Sequence, residues 1–234
     1  MKNTLLASSI LVLSTVSFAH VAPAPVSAST SSAEPTLGYS MSSRTVHDLT
    51  GWTAVNAVTG EAFEITELIP EPIEAPAGTV TPRLIDDPIA YAACFGVGAP
   101  QFPDFPLRTY PSVPGGNSPV YLQCGPINAK TYGWHHIQKE HQPQWETRLA
   151  QGGIPLSWDD LMAISTEAVL TEPTRWTVEY GGKRCYTAPV EIINPQQQVV
   201  LDFSPSVVVS MTNNRVITSY PTTQSDCNRV AAWV

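Results

Sequence analysis

A chain of 234 residues with 12 Lys and Arg against 20 Asp and Glu carries a formal net charge of −8. That length holds one sizeable domain or a smaller domain with an extension, and the acidity argues against a protein that grips nucleic acid by bulk electrostatics. The excess acid is concentrated before residue 124: four basic residues face ten acidic ones there, against eight and ten over 124–234, which leaves the second half near neutral.

The chain begins with Lys2 and then an apolar run from Leu5 to Phe18, broken only by small hydroxyl residues. Small residues follow at two cleavage positions, Ser17-Phe18-Ala19 and Val26-Ser27-Ala28. This layout predicts a secretory signal peptide within 1–28, cut after Ala19 or Ala28, and too short to be a stable membrane span. No later run approaches the roughly 20 apolar residues of a membrane helix. The mature protein is therefore expected to be secreted, soluble and without a membrane partner.

Four cysteines, Cys94, Cys124, Cys185 and Cys227, suit an exported chain with two disulfides, for which three connectivities exist. Sequence order suggests Cys94–Cys124 and Cys185–Cys227, each stapling one region. No pair is spaced C-x-x-C, and the wide spacing argues against a zinc knuckle.

Residues 29 to about 45 are rich in Ser, Thr, Ala and Pro and have too little apolar content to fold alone. Trp52 to Ile65 reads as a β-hairpin around Thr59-Gly60-Glu61. From Ile69 to Pro114 proline recurs every few residues, which excludes long helices and predicts an irregular or extended arm. Phe95, Phe102 and Phe105 suggest that this arm docks on something. The organisation expected is a signal over 1–28, a leader and arm over 29–123, and a domain over 124–234.

Lys130 to about Ala150 reads as helical, with Pro143 expected to end or break the helix. Ser157 caps a second helix, with Asp160 completing a capping box, and Leu161, Ile164 and Ala168 mark one apolar face. Beyond Pro173 the pattern turns to β. Trp176 to Tyr180 alternates, Gly181-Gly182 turns into Arg184-Cys185-Tyr186, and strands follow at 198–203 and 207–211. Asn213-Asn214 then turns into a last strand, Arg215 to Tyr220. The expected fold class is α+β: helices packed on a four-stranded antiparallel sheet, preceded by the proline-rich irregular arm.

Three of the five histidines fall in Tyr132-Gly133-Trp134-His135-His136-Ile137-Gln138-Lys139-Glu140-His141. Imidazole exchanges protons near neutral pH, so the cluster suggests acid–base chemistry; surface or packing histidines are the plainer reading. His136 and His141 are five positions apart, not the four of a zinc-binding helix, and no metal or cofactor is expected. His141 shares a face with Ile137, and His136 shares one with Glu140, whose carboxylate could orient the ring. On the last strand, alternation would set Val216, Thr218 and Tyr220 on one face and Arg215, Ile217 and Ser219 on the other. Arg215 or Lys139 could hold an anionic group, with Thr218 and Tyr220 donating hydrogen bonds to it. No G-x-S-x-G elbow or phosphate-binding glycine loop is present, and Asp159 and Asp160 serve a helix N-terminus.

The segment Gly133-Trp134-His135-His136-Ile137, three residues and His141 resembles the G-x-x-H-I-x-x-x-H helix of the barnase–EndoU–colicin–RelE group of ribonuclease toxins. The hairpin Val207-Val208-Val209 to Asn213-Asn214-Arg215-Val216-Ile217-Thr218-Ser219-Tyr220-Pro221 resembles the end of that group's sheet. The resemblance covers about 124–222, less than half the chain. It implies metal-independent cleavage of an RNA substrate by 2′-hydroxyl attack, with His136 and His141 matching the helix histidines, His141 or His136 as acid/base, and Thr218, Tyr220 and Arg215 steadying the phosphate. It also implies an immunity or inhibitor protein as a partner. Members often carry Arg just before the second histidine; Glu140 stands there in this chain, which removes a cation. The competing expectation is a catalytically inactive secreted binding module on the same fold.

Overall fold

The computed structural model describes residues 49–65, 88–96, 101–177, 180–223 and 227. The expected signal peptide, the Ser/Thr-rich leader to about 45 and the proline-rich stretch 66–87 lie outside these residues. Along the described chain come β1 (Thr53–Asn56), β2 (Ala62–Glu64), α1 (Pro88–Phe95), β3 (Pro106–Ser112), β4 (Pro119–Gln123), α2 (Gly133–Gly152) and α3 (Trp158–Thr171). Then follow β5 (Arg175–Trp176), β6 (Lys183–Thr187), β7 (Val190–Ile193), β8 (Val199–Ser210) and β9 (Arg215–Thr222).

These strands form one curled mixed sheet in the order β2-β1-β7-β8-β9-β4-β3, with β6 also on β8 and β5 on β6. The expected four-stranded antiparallel sheet with an irregular arm before it is therefore incorrect. The proline-rich region supplies two of the strands, β3 and β4, and the β4–β9 pairing is parallel, at Tyr121 and Arg215. The prolines are accommodated because Pro106 and Pro119 open their strands and Pro111 lies in a register shift of an edge strand, positions where a missing N–H is tolerated. The β1–β2 hairpin forms as its sequence predicts, pairing Thr53 with Glu64 and Val55 with Ala62.

Strand β8 organises the curl. Its first half pairs with β7, from Ile193↔Val199 to Val190↔Phe203, and its second half with β6, from Thr187↔Ser206 to Lys183↔Ser210. The two short strands expected at 198–203 and 207–211 are thus one strand running through Pro205. Pro205 sits at the handover between the two partners and faces Pro221 on β9. Neither proline has an N–H, so their pair is one that exchanges no backbone bonds.

Helix α3 lies inside the curl and touches β1, β3, β6, β7, β8 and β9. Ser157 and Asp160 close a capping box at its start, Ser157 Oγ accepting from the Asp160 N–H at 3.1 Å. Leu161, Ile164 and Ala168 are buried as expected, but so are Met162, Ala163, Ser165, Thr166 and Val169, so the helix is enclosed on most of its surface rather than along one stripe. Full burial of each large aliphatic contributes about 1.5–3 kcal/mol. Glu167 pairs with Arg108 of β3 at 2.6 Å, fastening the helix to the sheet edge.

Helix α2 is continuous across Pro143, contrary to the expected break. The proline removes one hydrogen bond of the helix, to the carbonyl four residues earlier. Burial of Ile137 before it and Trp145 after it holds both halves in line. Beyond Tyr121↔Arg215 the β4 strand leaves β9, and α2 takes over that edge: the Trp145 indole donates to the Ser219 carbonyl at 3.2 Å.

Candidate functional site

The start of α2 is set by two glycines pressed together. Gly125 and Gly133 both have φ of +73°, and a β-carbon on Gly133 would meet the Gln123 carbonyl while one on Gly125 would meet the Tyr132 carbonyl. The glycine that opens the histidine segment is therefore required by a close backbone approach. The two disulfides are Cys94–Cys124 and Cys185–Cys227, the pairing that sequence order suggested. The first tethers α1 to the residues just ahead of α2.

The three clustered histidines have separate surroundings. His135 is buried at 1% exposure, its Nε2 bonded to the Cys94 carbonyl at 3.0 Å and its N–H to the Cys124 carbonyl at 3.0 Å. Burial pushes its pKa down. It sits edge-on to Phe95 and Trp134 and serves packing.

His136 and His141 are half-buried, with ring centroids 6.0 Å apart. His136 Nδ1 lies 2.9 Å from the Lys130 carbonyl and His141 Nδ1 lies 3.1 Å from Gln144 Oε1. Both acceptors are oxygens, so each Nδ1 carries the proton and donates, which leaves each Nε2 for other chemistry. His141 is stacked on the Tyr220 ring with centroids 5.1 Å apart. Burial lowers the His141 pKa and the neighbouring His136 adds to the effect, against raising contributions from Gln144 and Glu140.

The β9 residues are re-aimed by a bulge. Val208 pairs with Thr218 but Val209 pairs with Val216, so Ile217 is the extra residue. Strict alternation is broken: Val216 and Ser219 point to the interior, where Ser219 Oγ meets Thr166 Oγ1 at 2.8 Å. Thr218 and Tyr220 remain on a common face, opposite Val208 and Ser206. Tyr220 and Ile217 pack there against Cys185, Val208 and Cys227. The Thr218 hydroxyl is buried without a hydrogen-bond partner.

Arg215 does not join the histidine pair directly. Its guanidinium lies 3.6 Å above the Tyr132 ring and reaches Asp104 Oδ1 at 3.3 Å. Tyr132 donates to the same oxygen at 2.6 Å, and its pKa is pushed up to about 12 by burial and by Asp104. Lys139 is exposed and pairs with Glu140 at 2.8 Å, and that hydrogen bond is the main cause holding the Glu140 carboxyl below its usual range. Glu140 is thus engaged by Lys139, in place of the orienting role expected of it toward His136.

Of the residues singled out in the sequence, His136, His141 and Tyr220 form one cluster, with Thr218 on the same face of β9. Asp104, Tyr132 and Gln144 were missed. Asp104 is 111 residues from Arg215 and no spacing reveals it, whereas Gln144, one helical turn from His141, could have been found by helical geometry.

Among the described residues no group of three or more His, Cys, Asp or Glu side chains could hold a metal ion, and no helix is long and apolar enough to cross a membrane. Compared with known proteins, the chain matches no family model, no curated protein and no solved structure.

Proposed function

We propose that the chain is an exported endoribonuclease that cleaves RNA by 2′-hydroxyl attack, without a metal, using His141 and His136 to carry protons. The observation that supports this most is the 6.0 Å separation of the two imidazoles, with His141 stacked on Tyr220. Residues far apart in the chain, chosen for their acid–base and hydrogen-bonding chemistry, come together on one edge of β9.

In this reading His141 is the base, because its lowered pKa keeps it neutral near pH 7. Its Nε2 takes the 2′-hydroxyl proton as the oxygen attacks phosphorus. The bond from phosphorus to the 5′-oxygen breaks, and His136, as the acid, delivers a proton to that oxygen. The products are a 2′,3′-cyclic phosphate and a 5′-hydroxyl. Tyr220, stacked on His141, donates to a non-bridging oxygen, where charge builds up in the transition state. The apolar run at Leu5 to Phe18 and the two disulfides support export.

A second reading, a binding module without catalysis, is favoured by one observation: the candidate cations Arg215 and Lys139 already have carboxylate partners. RNA cleavage by the oxidised mature protein in chelator separates the two. Cleavage that falls about 100-fold or more in H141A, the lower range for loss of a general acid or base, supports the enzyme. No cleavage by the parent removes it in favour of the binding module.

A further inference from the structure

Arg215 lies on the Tyr132 ring at the first end of α2, and about 13 Å of helix separates Tyr132 from His141. A group held by Arg215 is therefore not the phosphate between the two imidazoles. The guanidinium offers five donors, yet its described acid partner is a single oxygen, Asp104 Oδ1, at 3.3 Å, and its Nε is buried without a hydrogen-bond partner. Charge-assisted bonds of good geometry are about 2.7–2.9 Å long and Arg pairs are often bidentate. The Arg215–Asp104 contact is thus a loose pairing with donor capacity to spare.

Asp104 is nonetheless held in place. The segment around it is tied to the turn before α2 by Gly125 N–H to the Pro103 carbonyl at 2.8 Å and Cys124 N–H to the Phe105 carbonyl at 3.1 Å. The Gln123 amide adds a bond to the Asp104 carbonyl at 3.1 Å, and Gln101 bonds Gly125 and Ile127 at 2.8 and 3.1 Å. The carboxylate itself remains 70% exposed, free to swing into water while its backbone stays fixed.

We propose that Arg215 and the Tyr132 ring form a subsite for a phosphate flanking the scissile one, and that the Asp104 carboxylate occupies it in the free protein until phosphate displaces it. The subsite's place on an RNA strand rests on the ribonuclease reading, while its affinity for phosphate does not. Arg215 binds the incoming phosphate through two nitrogens, the Tyr132 hydroxyl donates to it, and Asp104 turns outward. Asp104 thereby lowers the affinity for every anion and favours those that can take the guanidinium in bidentate fashion.

The test is a titration of the oxidised full chain with inorganic phosphate, read from backbone amide shifts around Tyr132 and Arg215. Parent, D104N, D104S and R215A are compared after denaturation midpoints show each is folded. An exposed ion pair is worth up to about 1 kcal/mol, so freeing Arg215 should tighten phosphate binding by up to about fivefold. The expected result is tighter binding in a folded Asp104 variant and loss of saturable binding in R215A. Binding no tighter in the folded Asp104 variants, or unchanged in R215A, overturns the proposal. Phosphate binding of the expected pattern in a protein that cleaves no RNA supports the competition between Asp104 and phosphate and removes only the ribonuclease reading.

Discussion

The imidazole of His141 lies over the phenol ring of Tyr220, with planes 28° from parallel. One ring projects from the helix and the other from the bulged strand beside it, so the stack fixes the histidine against a rigid sheet edge. Tyr220 also helps remove water from the imidazole, and burial is the main cause of the lowered His141 pKa. Y220F keeps the ring and should leave that pKa in place. Y220A should raise it toward the ordinary value of 6.5. A proton NMR titration of the His141 ring distinguishes the two, and an unchanged pKa in Y220A would refute the role of the stack.

Stability should fall on mild acidification. His135 and His141 both have folded pKa values below the ordinary 6.5. The unfolded chain then binds more protons between those folded values and 6.5, so stability is full above 6.5 and declines as pH falls through the folded values. Denaturant midpoints at about pH 7.5 and about pH 5 should show the drop. H135Q, which can keep a donor near the Cys94 carbonyl, should make it shallower. An equal drop in H135Q would remove His135 as a source.

Pro143 should be a net cost to the fold. It stands exposed within α2, where proline is about 3 kcal/mol worse than alanine. The stiffer unfolded chain recovers up to about 1 kcal/mol of that. P143A should therefore raise stability by about 2 kcal/mol, measured by chemical denaturation. Loss of stability would mean that the surrounding helix is shaped around the proline.

Trp145 should be among the costliest positions to trim. It is fully buried, edge-on to Phe203, and its indole N–H satisfies the Ser219 carbonyl on the β9 edge that β4 has left. W145F keeps an aromatic ring but strands that carbonyl and opens a void, at a cost of about 2–4 kcal/mol. Thermal unfolding would register it, and a shift near zero would show that α2 does not depend on this anchor.

Local chemistry made part of this architecture readable in advance. Ser157 and Asp160 announced the start of α3 because a capping box is complete within four residues. The Thr59-Gly60 turn did the same for β1 and β2. Pro143 and Pro205 misled for a common reason: proline is judged by the hydrogen bond it lacks, whereas both are tolerated through distant partners, the packing of Ile137 and Trp145 for one and the β7-to-β6 handover for the other. The strands β3 and β4 were hidden by the same signal. At the site, His136, His141, Thr218 and Tyr220 could be chosen by side-chain chemistry, but the Ile217 bulge reset which neighbours share a face. Asp104 was beyond reach, since only the tertiary fold brings it to Arg215.

The meeting of α2 with β9 has a consequence in time. Trp145 and Ser219 are 74 residues apart, and Asp104 and Arg215 are 111 apart. The imidazoles therefore leave the ribosome well before the strand that orients them, and α2 can wind without its Tyr220 and Ser219 partners. Contacts of such long range close late and slowly. During synthesis the chain holds both imidazoles while their geometry does not yet exist, so the cluster with Tyr220 forms only when the last strand has docked.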